Sequence, residues 1–369
     1  MTARGPAIVP RGEFGFINLL RGSAALAVVY SHLVGEYLDW MHQTWWLKRL
    51  VDAGLERPFA IAGHFGRLGV MVFFLISGFI ITHVAHSENP LQFAIRRVFR
   101  IYPAYWLTIA IVIIFGLFEY PFDVALLHDW RSMLKLATLT NYLFYPQNIV
   151  LGVAWTLQIE VIFYALILLL IPLIRRSPSL TLALELAFVL AALLLARFDG
   201  SSWYFFAVNA GYLPYLLIGQ LIYFYRSGGL TGARAMSFGA ACYFIILFDL
   251  RLLHQDLLEP AQSRMLCLTM ALGIFVWAMR YGNEAGMMRW PKFFANISYS
   301  LYLLHAPIGL LLLALLKPHI GYGNALLVAV VAVIATAGLV HRCLERPAIE
   351  FGRRLSNRFR ERHREIVHA

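Results

Sequence analysis

The chain has 369 residues, of which 60% are hydrophobic, 15% aromatic and only 14% charged. A soluble domain carries about 25% charged residues, so this composition excludes a soluble enzyme, a disordered chain and a fibrous protein. The net charge of +11, from 31 Lys and Arg against 20 Asp and Glu, would suggest nucleic acid in a soluble protein; here no nucleic-acid-binding motif accompanies it, and cytoplasmic loops of membrane proteins collect the same excess.

An all-α, polytopic membrane bundle is therefore expected. Apolar runs long enough to cross a bilayer as helix recur at residues 14–35, 66–85, 102–119, 153–174, 179–197, 203–225, 232–250, 262–280, 294–316 and 324–343, which makes ten expected spans. Arg21 lies inside the first run and no small-x-small cleavage site follows it, so this run reads as a retained helix rather than a signal peptide. With the N-terminus placed in the cytoplasm, 21 of the 31 Lys and Arg residues fall on the cytoplasmic side, and an even number of spans returns the C-terminus there.

Two outer connections are long. Residues 36–65 hold Trp40, Trp45 and Trp46 and read as an aromatic segment lying in the interface plane. Residues 120–152 hold Asp123, His128, Asp129 and Asn141 and are expected to cap the outer surface. A transmembrane domain over residues 1–347 is followed by an Arg-rich, helix-prone tail, residues 348–369, expected to touch anionic lipid. No internal repeat is visible, so nothing points to an inverted-repeat transporter. Cys242, Cys267 and Cys343 have neither metal-ligand nor disulfide spacing, and no metal is expected.

Ionisable groups inside a span are costly and need a partner or a task. In the first span Arg21 and His32 stand eleven residues apart, about 16 Å of helix on roughly one face. Ser77-Gly78 in the second span reads first as a close helix-packing site and only weakly as a nucleophile, because no elbow motif surrounds it. The connection between spans two and three reads Arg96-Arg97-Val98-Phe99-Arg100-Ile101-Tyr102-Pro103-Ala104-Tyr105. If it is helical, three guanidiniums crowd one turn, a grip suited to phosphates, in competition with ordinary topology anchoring. Pro103 is expected to start the next helix. The fourth span opens Trp155-Thr156-Leu157-Gln158-Ile159-Glu160-Val161-Ile162-Phe163-Tyr164. Glu160 lies at a depth matching His32, shares a face with Tyr164, and needs a cation, a His or a proton. The ninth span carries Tyr302, His305 and Pro307; the last ends in His341-Arg342-Cys343-Leu344-Glu345-Arg346-Pro347.

Together these segments resemble the acyltransferase-3 family of integral-membrane acyltransferases, from about residue 14 to residue 347. The Arg-x10-His arrangement falls on Arg21 and His32, the aromatic Ser-Gly segment on residues 73–79, the arginine segment on residues 96–103, the Trp-Thr-Leu-x-x-Glu segment on residues 155–164, and the Ser-Tyr-Ser-Leu-Tyr-Leu-Leu-His-x-Pro segment on residues 298–307, with Glu345 and Pro347 closing. Where the family often has an Asp before the Phe-Phe pair, this chain has Gly69-Val70-Met71-Val72.

The resemblance implies transfer of an acyl group, usually acetyl, from cytoplasmic acyl-CoA to a hydroxyl, commonly on a surface polysaccharide or lipid-linked glycan at the outer face of a bacterial inner membrane. Arg96, Arg97, Arg100 and Tyr105 are the expected donor-binding set. His32 is the expected general base, since an imidazole with an ordinary pKa of about 6.5 suits proton abstraction at neutral pH. Glu160 would orient His32 or bind the acceptor. Arg21 would stabilise charge on the thioester oxygen or guide the donor. Ser77, Trp155, Tyr164, Tyr302 and His305 are substrate-binding or structural. An acyl-histidine intermediate on His32 stays open beside direct transfer. The competing class is a proton-coupled transporter or flippase using Arg21, His32 and Glu160 as a relay.

Overall fold

The computed structural model describes residues 14–59, 61, 63–116, 129–143, 149–196, 200–253 and 261–368, and within them the side chains of all but 200–202, 261 and 361–368. Asp123 and His128 lie outside the described residues. The elements are α1 (Gly15–Trp40), α2 (Trp46–Val51), α3 (Gly66–Ala85), α4 (Pro90–Gly116), α5 (Trp130–Ala137), α6 (Trp155–Arg176), α7 (Pro178–Leu195), α8 (Gly200–Ala210), α9 (Leu213–Arg226), α10 (Gly232–Leu252), α11 (Ala261–Tyr281), α12 (Asn283–Met287), α13 (Arg289–Val340) and α14 (Arg346–His368).

Among the described residues there is no strand, and nine helical segments are long and apolar enough to cross a membrane. Eight correspond to one expected span each. The ninth, Arg289–Arg360, covers both of the last two, so nine continuous segments stand where ten spans are expected. It breaks at Gly321, whose φ of 74° and ψ of 163° lie in a region that essentially only glycine adopts. The two arms fold back on each other: Ser300 Oγ donates to Glu345 Oε2 at 2.7 Å, and Leu301 shares a core with Ala337.

Helix α4 starts at Pro90 rather than near residue 102. Asn89 accepts from the Gln92 N–H at 2.8 Å, and Gln92 lies 3.5 Å from the Asn89 N–H. This is a reciprocal cap with Pro at the first helical position. Arg96, Arg97 and Arg100 therefore sit inside the helix, not in a connection. Pro103 is likewise internal; it deprives the Phe99 carbonyl of its helical donor, a loss that membrane helices tolerate.

Gly78 and Gly219 let α3 and α9 meet backbone to backbone. A Cβ at Gly78 would lie 1.8 Å from Leu216 O, and one at Gly219 2.1 Å from Leu75 O. Small residues at such crossings substitute for the hydrophobic drive that lipid does not provide. Helix α1 packs between α3 and α13. Three apolar clusters result, and Val70 and Phe73 of α3 border more than one of them. The site lies at that border.

Toward its C-terminal end α1 holds a π-helical stretch, Ser31–Glu36, a widening of the helix that recurs at functional sites. Outside it, His64 Nδ1 meets Glu56 Oε2 at 2.9 Å and Nε2 meets Asp39 Oδ2 at 2.6 Å, while Lys48 Nζ bridges Asp39 at 3.1 Å and Asp52 at 2.8 Å. The hydrogen bond to Glu56 is the main reason that His64 holds its proton more tightly than an ordinary imidazole. This clasp seats the His64 ring where a Gly35 side chain would stand, 2.3 Å from its Cβ position, and so packs the outer loop onto the π stretch. Trp40 and Trp46 are exposed beside it.

Helix α14 is not a detached tail. Phe351 packs on Phe99 with ring centroids 5.2 Å apart, and Gly352 leaves room for the Phe99 ring.

Candidate functional site

Among the described residues, two cavities frame the candidate site. The inner one, about 310 Å³, is lined by Arg21 and Asn18 of α1, Ser77 of α3, Arg97 and Arg100 of α4, Glu160 and Tyr164 of α6, and Ser298, Tyr299 and Tyr302 of α13. Phe14, Ile17, Ile80 and Ile81 give it an apolar wall. The outer one, about 220 Å³, is lined by His32 and Glu36, by Gly63, Gly66 and Arg67, and by the aromatic rings of Trp155, Tyr212 and Tyr215. Val70, Phe74 and Tyr302 line both, and this shared stretch is termed the neck.

The inner cavity is cationic. Arg100 is neutralised by Glu345, with Nη1 to Oε1 at 2.5 Å, and its guanidinium lies over the Tyr299 ring at 5.2 Å. Glu345 is buried and also meets Ser300 and His341, at 2.7 and 3.1 Å. Arg21 and Arg97 form no ion pair among the described residues. Arg97 is flanked by the rings of Phe93 and Tyr164, at 5.5 and 6.0 Å, and its buried Nε has no hydrogen-bond partner. A half-buried guanidinium whose Nε has no acceptor is a place for an anion. Glu160 is the cavity's carboxylate; Ser77 Oγ donates to its Oε1, and Tyr164 donates to its Oε2 at 3.2 Å.

The outer cavity is built around His32. Its Nδ1 lies 3.0 Å from Val28 O and 3.1 Å from His305 Nε2, and its Nε2 lies 3.8 Å from Glu36 Oε2. Ser31 Oγ holds Glu36 at 3.0 Å and also meets Gly63 O at 2.8 Å. Trp155 and Tyr212, with centroids 5.0 Å apart, form an aromatic wall. At the neck, the Tyr302 hydroxyl is held between Thr156 Oγ1 and Val153 O, both at 2.8 Å.

This arrangement rearranges the expected site. His32 and Glu160 do not meet: they line different cavities, because the neck residues stand between them. Arg21 lies with Glu160 on the inner side. Of the arginine turn, Arg97 and Arg100 face the inner cavity, but Arg96 does not; it pairs with Glu88 and donates to Ser356 Oγ at 3.0 Å and Asn357 Oδ1 at 2.9 Å, docking α14. Tyr105 is also off the cavity, fully buried, with its hydroxyl donating to Leu136 O at 2.7 Å. Ser77 and Tyr164 face the inner cavity, Trp155 the outer, Tyr302 both; His305 is buried behind His32. Glu36 was missed, although its spacing of four from His32 in a polar-poor helix is a visible signal. No metal-ligand group lies in either cavity among the described residues; Asp52, Glu56 and His64 of the clasp have donor atoms within 4.8 Å of one another.

The described helices thus define a membrane-spanning bundle with one cavity lined by arginines and another lined by His32, the two sharing Val70, Phe74 and Tyr302. The family described as "Acyltransferase domain", acyltransferase-3, matches residues 14–341, and the chain belongs to it: it is an integral-membrane acyltransferase. Exopolysaccharide production protein ExoZ of Rhizobium meliloti (strain 1021) is similar at 28% identity over 302 residues, 78% of this chain and 91% of that protein. Nodulation protein 10 of Rhizobium leguminosarum bv. viciae is similar at 29% identity over 181 residues, 45% of this chain and 46% of that protein, so the match spans about half of that relative. No solved structure matches the chain.

Proposed function

We propose that this acyltransferase moves an acyl group, acetyl foremost, from cytoplasmic acyl-CoA to a hydroxyl of a polysaccharide or glycolipid on the outer face of a bacterial inner membrane. The observation that carries this reading is the pair of cavities meeting at Val70, Phe74 and Tyr302, with two arginines free of ion pairs on one side and His32 on the other. The Lys and Arg bias, 21 of 31 on one side, favours both termini and the mouth of the inner cavity in the cytoplasm. The names of the two relatives, exopolysaccharide production and nodulation, favour an envelope polysaccharide as acceptor.

In this reading Arg21 and Arg97 hold the donor's anionic groups through charge-assisted hydrogen bonds. Arg100, already balanced by Glu345, shapes the chamber wall. Glu160 keeps the cationic chamber from carrying an uncompensated excess, held by Ser77 and Tyr164. The thin acyl-bearing end of the donor reaches the neck. On the outer side the acceptor's sugar face stacks on Trp155 and Tyr212, and its hydroxyl meets His32 Nε2. The hydroxyl gives its proton to Nε2 as its oxygen attacks the thioester carbonyl. The C–S bond then breaks, the acyl ester leaves outward, and the proton passes from Nε2 to the departing thiolate, so that neutral CoA thiol returns inward. Neither cavity alone serves this reaction: the donor is charged and the acceptor lies across the membrane.

The test is mass spectrometry of surface glycans from cells carrying the wild type, His32→Ala, or no protein. The wild type is expected to restore an acyl ester that His32→Ala, inserted at the same level, does not. An ester restored by His32→Ala refutes the assignment.

A further inference from the structure

We propose that His305 is the positioning residue for His32: its Nε2 lone pair accepts the His32 Nδ1–H, which holds His32 in the tautomer whose bare Nε2 faces the outer cavity. This rests on the reading of His32 as general base.

The proton positions follow from the acceptors. His305 is fully buried, and its Nδ1 lies 2.7 Å from Tyr302 O and 3.2 Å from Leu301 O. Carbonyl oxygens only accept, so this nitrogen carries the hydrogen. No carboxylate contacts the ring among the described residues, and an unpaired cation is disfavoured in an apolar interior. The ring is therefore neutral and its Nε2 is an acceptor. His32 Nδ1 faces that acceptor at 3.1 Å and Val28 O at 3.0 Å. Two acceptors and no donor meet this atom, so it carries the hydrogen, shared between them. The competing tautomer would place the hydrogen on Nε2 toward Glu36, but 3.8 Å is beyond hydrogen-bond range. One hydrogen shared between two acceptors at Nδ1 outweighs none at Nε2.

Val28 and His305 divide the work. Val28 O belongs to the same helix as His32 and moves with it. His305 comes from α13, one turn beyond Tyr302, whose hydroxyl forms part of the neck. The bond from His32 to His305 thus ties the base to the point where the two substrates meet. The rings lie 4.9 Å apart, tilted by 56°, which aims the His32 Nδ1–H at the His305 lone pair rather than stacking the rings. Glu36 stands where it attracts the imidazolium once His32 has taken the acceptor's proton.

The test compares His305→Leu, which removes the acceptor atom, with His305→Gln, whose side-chain oxygen reaches the same place, in the full-length protein in nanodiscs with acetyl-CoA and an isolated acceptor polysaccharide. His305→Leu is expected to keep the wild-type acetyl-CoA Kd and acceptor KM while kcat falls by at least about tenfold, within the roughly 10²–10⁴-fold that a general base supplies. His305→Gln is expected to recover most of that loss. Wild-type kcat in His305→Leu overturns the proposal, as does an equal loss in both variants with raised Kd and KM. Wild-type protein labelled with ¹⁵N-histidine gives a reading that does not depend on how the variants fold: the resonances missing in His32→Ala are expected to show a protonated Nδ1 and a bare Nε2 at pH 8, and the opposite tautomer overturns the proposal. If His32→Ala itself remains active, the general-base reading fails, whatever the tautomer; if His32→Ala is dead and His305→Leu is normal, only the present inference fails.

Discussion

Arg97→Ala separates a ligand site from a topology anchor. Arg97 and Arg96 are neighbours in one turn of α4, carry the same charge, and count equally toward the positive-inside pattern. Their surroundings differ. Arg96 is committed to Glu88, Ser356 and Asn357. Arg97 lines the inner cavity between two aromatic rings with its Nε unpartnered. A hydrogen bond to a charged group is worth about 1.5–3 kcal/mol, and about 1.4 kcal/mol is tenfold in an equilibrium constant. Losing one such bond to the donor's phosphates weakens binding by about 10- to 150-fold. Arg97→Lys keeps the charge but not the planar fork and falls between. Arg96→Ala loosens α14 and leaves donor affinity within about threefold of wild type, since it removes no group that lines the inner cavity. The assay is calorimetric titration of acetyl-CoA into each variant in nanodiscs. Equal effects of the two substitutions, or an unchanged Kd for Arg97→Ala, refute the reasoning and leave the arginine turn as an anchor.

Three further outcomes follow from the same geometry. Val70→Trp fills the neck and is expected to leave acetyl-CoA affinity nearly unchanged while transfer falls by more than about 100-fold, a loss within the reach of misplaced reactants; retained transfer measured with radiolabelled donor contradicts a path through the neck. Gly219→Ala places a methyl group 2.1 Å from Leu75 O, which only separation of α3 and α9 relieves; overpacking of this kind costs about 1–3 kcal/mol, and a melting temperature equal to the wild type's speaks against the close crossing. His64 is held protonated by Glu56 above its ordinary range, so its contribution to the outer clasp is full below an unfolded-state pKa of about 6.5 and is lost as pH rises through the higher folded value; amide exchange over residues 36–65, corrected for intrinsic rates, is expected to speed up on going from pH 6 to pH 9, and His64→Gln is expected to abolish that dependence.

Much of the architecture was legible because bilayer thickness imposes a length on every apolar run. The break at Gly321 falls in the gap between the two last expected spans, where Lys317 and Pro318 interrupt the apolar pattern. The start of α4 was legible but misread: Asn89-Pro90-Leu91-Gln92 carries a complete capping signature, which outranks the later onset of hydrophobicity. The site was legible residue by residue and not as a constellation. Depth along a helix can be counted from sequence, so His32 and Glu160 looked level; azimuth around the bundle cannot, and the two side chains enter different cavities. Successive residues on a helix diverge by about 100°, which is why Arg96 meets α14 while Arg97 meets the chamber, a distinction invisible in an arginine run. The pairing of His32 with His305 joins positions 273 residues apart, and only the packing of α1 on α13 brings them together.

The claim at the centre is that binding of the donor and activation of the acceptor are divided between two cavities, with His32 acting only in the second. It is tested most directly by one measurement on purified His32→Ala in nanodiscs: acetyl-CoA affinity and single-turnover acyl transfer determined on the same sample. The donor Kd is expected to match the wild type, because His32 does not line the inner cavity, while transfer is expected to fall by about 10²–10⁴-fold, the range of a lost general base. Transfer at the wild-type rate, or a donor Kd raised in step with the loss of transfer, would contradict that division.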